Sequence, residues 1–175
     1  MKRMLVRIGT LLLVLLLALS AVACSDTEVP DGMQLVSGEE EKFDLFVPAM
    51  WTPMQNPPGA YVSSADRSNV TVTSHFPDTV MSASEYWTQK CLPEYTNVLE
   101  NFSVVEERCE DTTLGGRDAK LYVFVYTISD TAYESMQIIT VQSDIIYTLT
   151  YTATSAAFED HLDDVESIRA EFRFR

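Results

Sequence analysis

Three cysteines, two histidines and a surplus of carboxylates are what this 175-residue chain offers to chemistry. His75 and His161 are far apart and have no Cys or His partner at ligand spacing, so a zinc or redox-metal centre is not expected. Asp160, Asp163 and Asp164 have the charge to attract calcium, but they fall on a helical stretch rather than in an oxygen-rich loop with a glycine turn. No G-x-S-x-G, phosphate-binding loop or dinucleotide fingerprint occurs, and the paired Gly115-Gly116 reads as a turn. The 26 Asp and Glu outnumber the 12 Lys and Arg, so carboxylate pairs are common by composition alone. A hydrolase would need two of them converging in one cleft, with one pKa displaced. The expectation is a protein with no catalytic residues, no metal and no cofactor.

The cysteines say more. Lys2, Arg3 and Arg7 precede the apolar run Ile8 to Leu19, which is short for a membrane span of about 20 residues. Leu19-Ser-Ala-Val-Ala-Cys24 follows, small residues leading straight into a cysteine. This ending resembles the lipobox of bacterial lipoproteins, with Ala21 standing where leucine is commonest. The resemblance implies that residues 1–23 are a signal peptide and that Cys24 becomes the lipid-bearing first residue, anchoring the protein outside the cytoplasm. Each buried CH₂ of an acyl chain contributes about 0.8 kcal/mol, so several chains hold a small domain firmly. Residues 24–32, polar and with Pro30, read as a tether. That leaves Cys91 and Cys109, two thiols 18 positions apart in an oxidising compartment, as a candidate structural disulfide.

Losing residues 1–23 removes three of the 12 basic residues and none of the 26 acidic ones, which takes the net charge from −14 to −17. So acidic a domain is a poor partner for nucleic acid. The expected partners are the membrane, through the lipid on Cys24, and a protein or cell-envelope ligand that charge alone does not name.

The elements that position these groups begin with three long strands. Lys120 to Ile128, Glu134 to Gln142 and Ile145 to Thr154 are dense in β-branched and aromatic residues, and the breaks Ser129-Asp130 and Ser143-Asp144 make them an antiparallel meander. In the first, Leu121, Val123 and Val125 alternate with Tyr122, Phe124 and Tyr126. With both faces apolar, layers are expected on both sides of the sheet. Upstream, Met33 to Ser37 and Lys42 to Val47 read as strands, with Phe43, Leu45 and Val47 inward and Asp44 outward. The four prolines between Pro48 and Pro58 frame an irregular loop holding Met50, Trp51 and Met54. Exposed, these three form a candidate binding patch; the competing reading makes Trp51 a plug at one end of the core. Tyr61 to Ser63 pairs with Asn69 to Phe76, placing Val70, Val72 and Phe76 inward and His75 toward solvent.

Ser82-Ala-Ser-Glu85 fits a capping box, starting a helix whose Trp87 and Cys91 share one face and whose course Pro93 disturbs. Tyr95 and Val98 continue its apolar side, and Phe102 to Glu110 returns to strand. A second helix runs from about Ala156 to Ile168, with Ser155 as N-cap and Phe158, Leu162, Val165 and Ile168 as its apolar stripe. Glu171 to Arg175 alternates as a last short strand.

This order, with Phe43-Asp-Leu-Phe-Val-Pro48 running into Trp51, Leu114-Gly-Gly-Arg-Asp-Ala119, the strand Ile146 to Ala153 and a closing amphipathic helix, resembles the Mog1/PsbP-like superfamily, which includes bacterial PsbP-like lipoproteins. The resemblance implies one domain over residues 33–175, an α+β fold built as an α/β/α sandwich around a central antiparallel sheet. Members act mainly as binding or assembly factors, so the function it implies is a non-catalytic, extracytoplasmic binding or accessory module. The alternative is a carrier of a small apolar ligand held between sheet and helix, which would require a preformed apolar cavity.

Overall fold

The structure, a computed structural model, describes residues 28–175; the signal segment, Cys24 and the start of the tether lie outside the described residues. The strands in chain order are β1 (Met33–Leu35), β2 (Phe43–Asp44), β3 (Phe46–Pro48), β4 (Thr52–Gln55), β5 (Pro58–Tyr61), β6 (Asn69–His75), β7 (Glu100–Val104), β8 (Glu110–Leu114), β9 (Arg117–Ile128), β10 (Thr131–Gln142), β11 (Ile145–Thr154) and β12 (Arg173–Phe174). Helix α1 is α-helical over Ala83–Tyr86, π-helical over Trp87–Cys91 and α-helical again over Leu92–Val98; α2 is Leu162–Glu171.

Two-residue turns set the registers of the main sheet. Ser129, Asp130, Ser143 and Asp144 all have positive φ, between 48° and 64°, the geometry whose twist matches that of paired strands. They lock β9 to β10 and β10 to β11, and the sheet runs β4-β5-β6-β11-β10-β9-β7, antiparallel throughout, with β8 also on β9. Both β7 and β8 pair with the same edge of β9, one after the other. The strand expected over Phe102 to Glu110 is therefore interrupted: a 3₁₀ turn at Glu106–Arg108 bulges out between them. Gly115, at φ +57, makes the β8–β9 turn directly under the Phe174 ring, where a Cβ would stand 2.7 Å from Cδ2.

Both faces of the sheet are covered, as the alternation of β9 predicts. One face, with Val70, Val72, Ile138, Leu149 and Tyr151, packs on Phe43, Leu45, Trp51, the α2 residues Val165 and Ile168, and Phe172. The other brings Phe124, Ile139 and Ile146 against Trp87 and Cys91 of α1. The arrangement is the expected α/β/α sandwich.

The capping box forms: Glu85 N–H donates to Ser82 Oγ at 3.2 Å and Ser82 N–H to Glu85 Oε2 at 2.8 Å. Pro93 has no N–H and its ring presses on the carbonyl four residues back, which widens the preceding turn. Leu92 N–H accordingly reaches back to Trp87 O. The wide turn keeps both Trp87 and Cys91 inward, and Trp87 stacks on Tyr122 at 4.1 Å and 5°.

Four side chains depart from their expected places. Asp44 is buried rather than outward, because β12 pairs with β2 and brings Arg175 onto its carboxylate at 2.6 Å. Phe76 is 72% exposed, because β6 stops at His75 and Pro77 diverts the chain. Val98 is 67% exposed at the end of α1. Ser155 is not a side-chain cap: a 3₁₀ turn over Phe158–His161 leads into α2 instead, and it buries Phe158 under Tyr151.

Candidate functional site

The structure separates the candidate patch. Met50 is 84% exposed and Met54 half-buried, but Trp51 is 2% exposed, edge-on to the His161 ring at 6.1 Å. Gln34 Nε2 donates to Trp51 O at 2.7 Å and holds this corner to β1. Trp51 is the core plug, and no three-residue patch exists.

The expected disulfide is likewise absent: Cys91 and Cys109 are free thiols. Cys91 is held inward by the π turn among Trp87, Phe124 and Ile139, while Cys109 sits at the 3₁₀ bulge with its Sγ donating to Val105 O at 3.5 Å. The helix and the bulge fix the two sulfurs to different partners. Burial pushes the Cys91 thiol up to about 11, so it is no nucleophile.

His161 is in company the sequence does not announce, 95 positions from its partner. Its Nε2 lies 2.7 Å from Asp66 Oδ2, and Asp66 also accepts from Ser68 N–H at 2.9 Å. The hydrogen bonds from Ser68 hold the Asp66 carboxyl below its usual range, with His161 adding to the effect. Serine, histidine and aspartate are the residue types of a hydrolytic triad, but the order is wrong. Here the carboxylate stands between serine and imidazole, so the imidazole has no hydroxyl to deprotonate. The cluster pins the β5–β6 loop to the 3₁₀ turn before α2.

A third cluster joins the bulge to the sheet. Arg108 Nη1 lies 2.6 Å from Glu134 and 3.1 Å from Glu159, with its guanidinium over the Phe158 ring. Burial raises the Glu134 carboxyl against the pull of Arg108. Among the described residues no group of three or more His, Cys, Asp or Glu could hold a metal, and Asp160, Asp163 and Asp164 do not gather into one.

A groove of about 1020 Å³ lies between the start of α1 and the β8–β9 hairpin. Val80, Met81 and Ser84 line one wall, Asp111, Arg117 and Lys120 the other. Lys120 Nζ pairs with Asp111, and Val80 is 76% exposed. It is open and edged with charge, unlike the enclosed apolar cavity a lipid-type carrier would need; the space between α1 and the sheet is filled by Trp87, Phe124 and Ile146. Its walls suit a partner with both apolar and charged groups. The charged side of the groove comes from a hairpin and the apolar side from the linker before α1, so nothing in either segment alone reveals it.

No protein-family model matches the chain, and no curated protein sequence does. Solved structures do. LpqN of Mycobacterium tuberculosis, a protein involved in cell envelope biogenesis, superposes with a TM-score of 0.59 at 16% identity, over 81% of this chain and 89% of its own. Cyanobacterial PsbP of Synechocystis gives 0.59 at 11% identity, over 89% and 99%. A Pseudomonas aeruginosa protein of unknown function gives 0.55 at 18%, over 77% and 92%. At such identities the likeness is one of fold, and the fold is PsbP-like.

Proposed function

We propose that this chain is a lipid-anchored, non-catalytic accessory module of a bacterial cell envelope, held outside the cytoplasm through Cys24 and presenting its groove to a partner protein or envelope ligand. The observation that best supports this is the polarity of the domain relative to its tether. Ala49 N–H donates to Gly32 O at 2.9 Å and Met33 pairs with Pro48, so the chain enters the fold beside exposed Met50. Two residues on, the pairings Thr52 with Tyr61, Tyr61 with Asn69 and Asn69 with Thr152 put this entry at the Thr152 end of β11. The groove includes Val141, which pairs with Ile146 at the other end of that strand. Six residues of strand separate the two ends, about 20 Å.

From Cys24 to Met33 the chain reaches at most about 30 Å. The anchored domain would thus ride close to the bilayer with Met50 toward it and the groove away from it. Its acidity opposes close contact with anionic headgroups, leaving attachment to the lipid. Among the described residues no helix is long and apolar enough to cross a membrane, and the envelope role of LpqN, a protein of like fold, agrees with the reading.

Intact-mass measurement and membrane fractionation of the protein expressed in a bacterium test it, with Cys24→Ala alongside. Loss of residues 1–23, added acyl mass and membrane retention abolished by Cys24→Ala are expected. A wild type that is soluble and unacylated overturns the proposal.

A further inference from the structure

One face of the β1–β3 pair is apolar and stands outside both cores. Leu45 and Val47 point into the domain, so Phe46 and Pro48 point away from it. The register sets Leu35 beside Phe46 and Met33 beside Pro48 on that outer side. Phe46 is fully buried yet packs in neither core; the Arg173 guanidinium lies over its ring at 5.2 Å. Around it the cover is thin. Leu35 is 36% exposed, Val29 44%, and Met50, just past Pro48, 84%.

Isolated apolar residues on a surface need no explanation. The position of this set does. Arg173 Nη1 donates to Glu28 O at 3.5 Å, so the chain is already tied to this face at Glu28. Met33 N–H then donates to Pro30 O and Ala49 N–H to Gly32 O, which folds the intervening segment against the Pro48 end of the face. Four residues of chain lead from Cys24 to Glu28, and fully extended they span at most about 14 Å. A domain anchored at Cys24 therefore carries this face within about 14 Å of the bilayer. One helix with its side chains is already about 10–12 Å across, so the gap admits no partner domain. The occupant for which the tether leaves room is the lipid surface.

Charge decides the kind of contact. Arg173 is paired with Glu171 at 2.7 Å, and Glu28 and Asp31 flank the face in the chain. With no surplus of positive charge to hold anionic headgroups, the contact must be apolar and shallow, made at the boundary between headgroups and acyl chains. Thioether and aliphatic side chains suit that boundary, because they adapt to an irregular surface and leave no polar group unpaired. We propose that Val29, Met33, Leu35 and Met50, laid over Phe46, seat the anchored domain on the bilayer. Seated in this way, the domain holds one orientation instead of tumbling on its tether, with its groove turned outward. The proposal rests on the reading of Cys24 as the anchor.

The test uses the mature chain coupled through Cys24 to a maleimide-bearing phosphatidylethanolamine in phosphatidylcholine nanodiscs. Cys109→Ser removes the other accessible thiol, Cys91 being buried. Methionine methyl resonances are compared with and without phosphatidylcholine spin-labelled near the top of its acyl chain. Loss of the Met50 and Met33 signals is expected, with Met81, in the groove, retained. Val29→Asp with Met50→Asp, both at exposed positions, should bring the Met33 signal back, whereas Met50→Leu should leave it lost. Three results overturn the proposal: Met50 and Met33 retained in full, Met81 lost together with them, or the double aspartate variant losing Met33 as the wild type does. Because the lipid is coupled chemically, any of these leaves lipidation of Cys24 in the cell standing. A wild type that fractionates as soluble removes the anchor whatever the nanodiscs show.

Discussion

Trp51→Ala decides between the two readings of the proline-rich loop. If the side chain is a plug, its removal takes a large aromatic out of a sealed corner bounded by His161 and by the β1 segment that Gln34 ties to it. At 2% exposure essentially its whole side chain is withdrawn from water, and Trp-to-Ala changes of that kind cost about 3–5 kcal/mol. For a domain of this size each kcal/mol moves the midpoint by about 2–4 °C, so the variant should melt roughly 6–20 °C lower. In urea, with a slope of about 2 kcal/mol/M, the transition should fall by about 2 M with its slope unchanged. Met50→Ala is the internal control: at 84% exposure it removes little buried surface and should stay within about 0.5 kcal/mol of the wild type. Equilibrium urea unfolding of both variants, followed by far-ultraviolet circular dichroism, measures the difference. A Trp51→Ala cost below about 1 kcal/mol, comparable with that of Met50→Ala, would refute the assignment of Trp51 to the core.

The same structure fixes further outcomes. Arg175→Ala strips the partner from the buried Asp44 carboxylate and the donor from the carbonyls of Gly38, Glu39 and Glu41; because the arginine is partly exposed, a cost of about 2 kcal/mol is expected by thermal unfolding. Gly115→Ala combines a left-handed φ with a clash against Phe174, so it should destabilise by about 2 kcal/mol, more than Gly116→Ala, whose Cβ meets open space. The Asp66 carboxyl is held below its usual 3.8, so its stabilising contribution is complete above that pH and disappears as the pH falls through the lower folded value. The stability gap between wild type and Asp66→Asn should therefore close as the pH is lowered from about 5 into stronger acid, as read from urea midpoints at each pH. Thiol titration of the Cys24→Ala chain at neutral pH, without reductant, should find Cys91 unreactive in the native state and both thiols free once unfolded; a missing pair after unfolding would restore the disulfide.

The strands were legible where local chemistry and global packing agree. β9, β10 and β11 carry apolar side chains on alternating faces, and Ser-Asp pairs are turn formers, so pattern and turn chemistry give one answer. The capping box is equally local: Ser82 and Glu85 satisfy each other within a single turn. Legibility failed where the deciding partner is remote. Asp44 alternates outward until a strand 129 residues later pairs with it, at Arg173. Glu106-Glu107-Arg108 carries no helix signal; it bulges because β7 and β8 must follow one another along a single edge of β9.

The functional surfaces divide along the same line. Val-Thr-Val-Thr in β6 and Thr-Leu-Thr-Tyr-Thr in β11 are visible as strands with one polar face, and that face is visibly uncharged. What no local pattern reveals is that β6 and β11 become neighbours across about 75 residues. A Trp-and-Met loop has the composition of a binding surface, yet burial is the commoner use of indole and it prevails for Trp51.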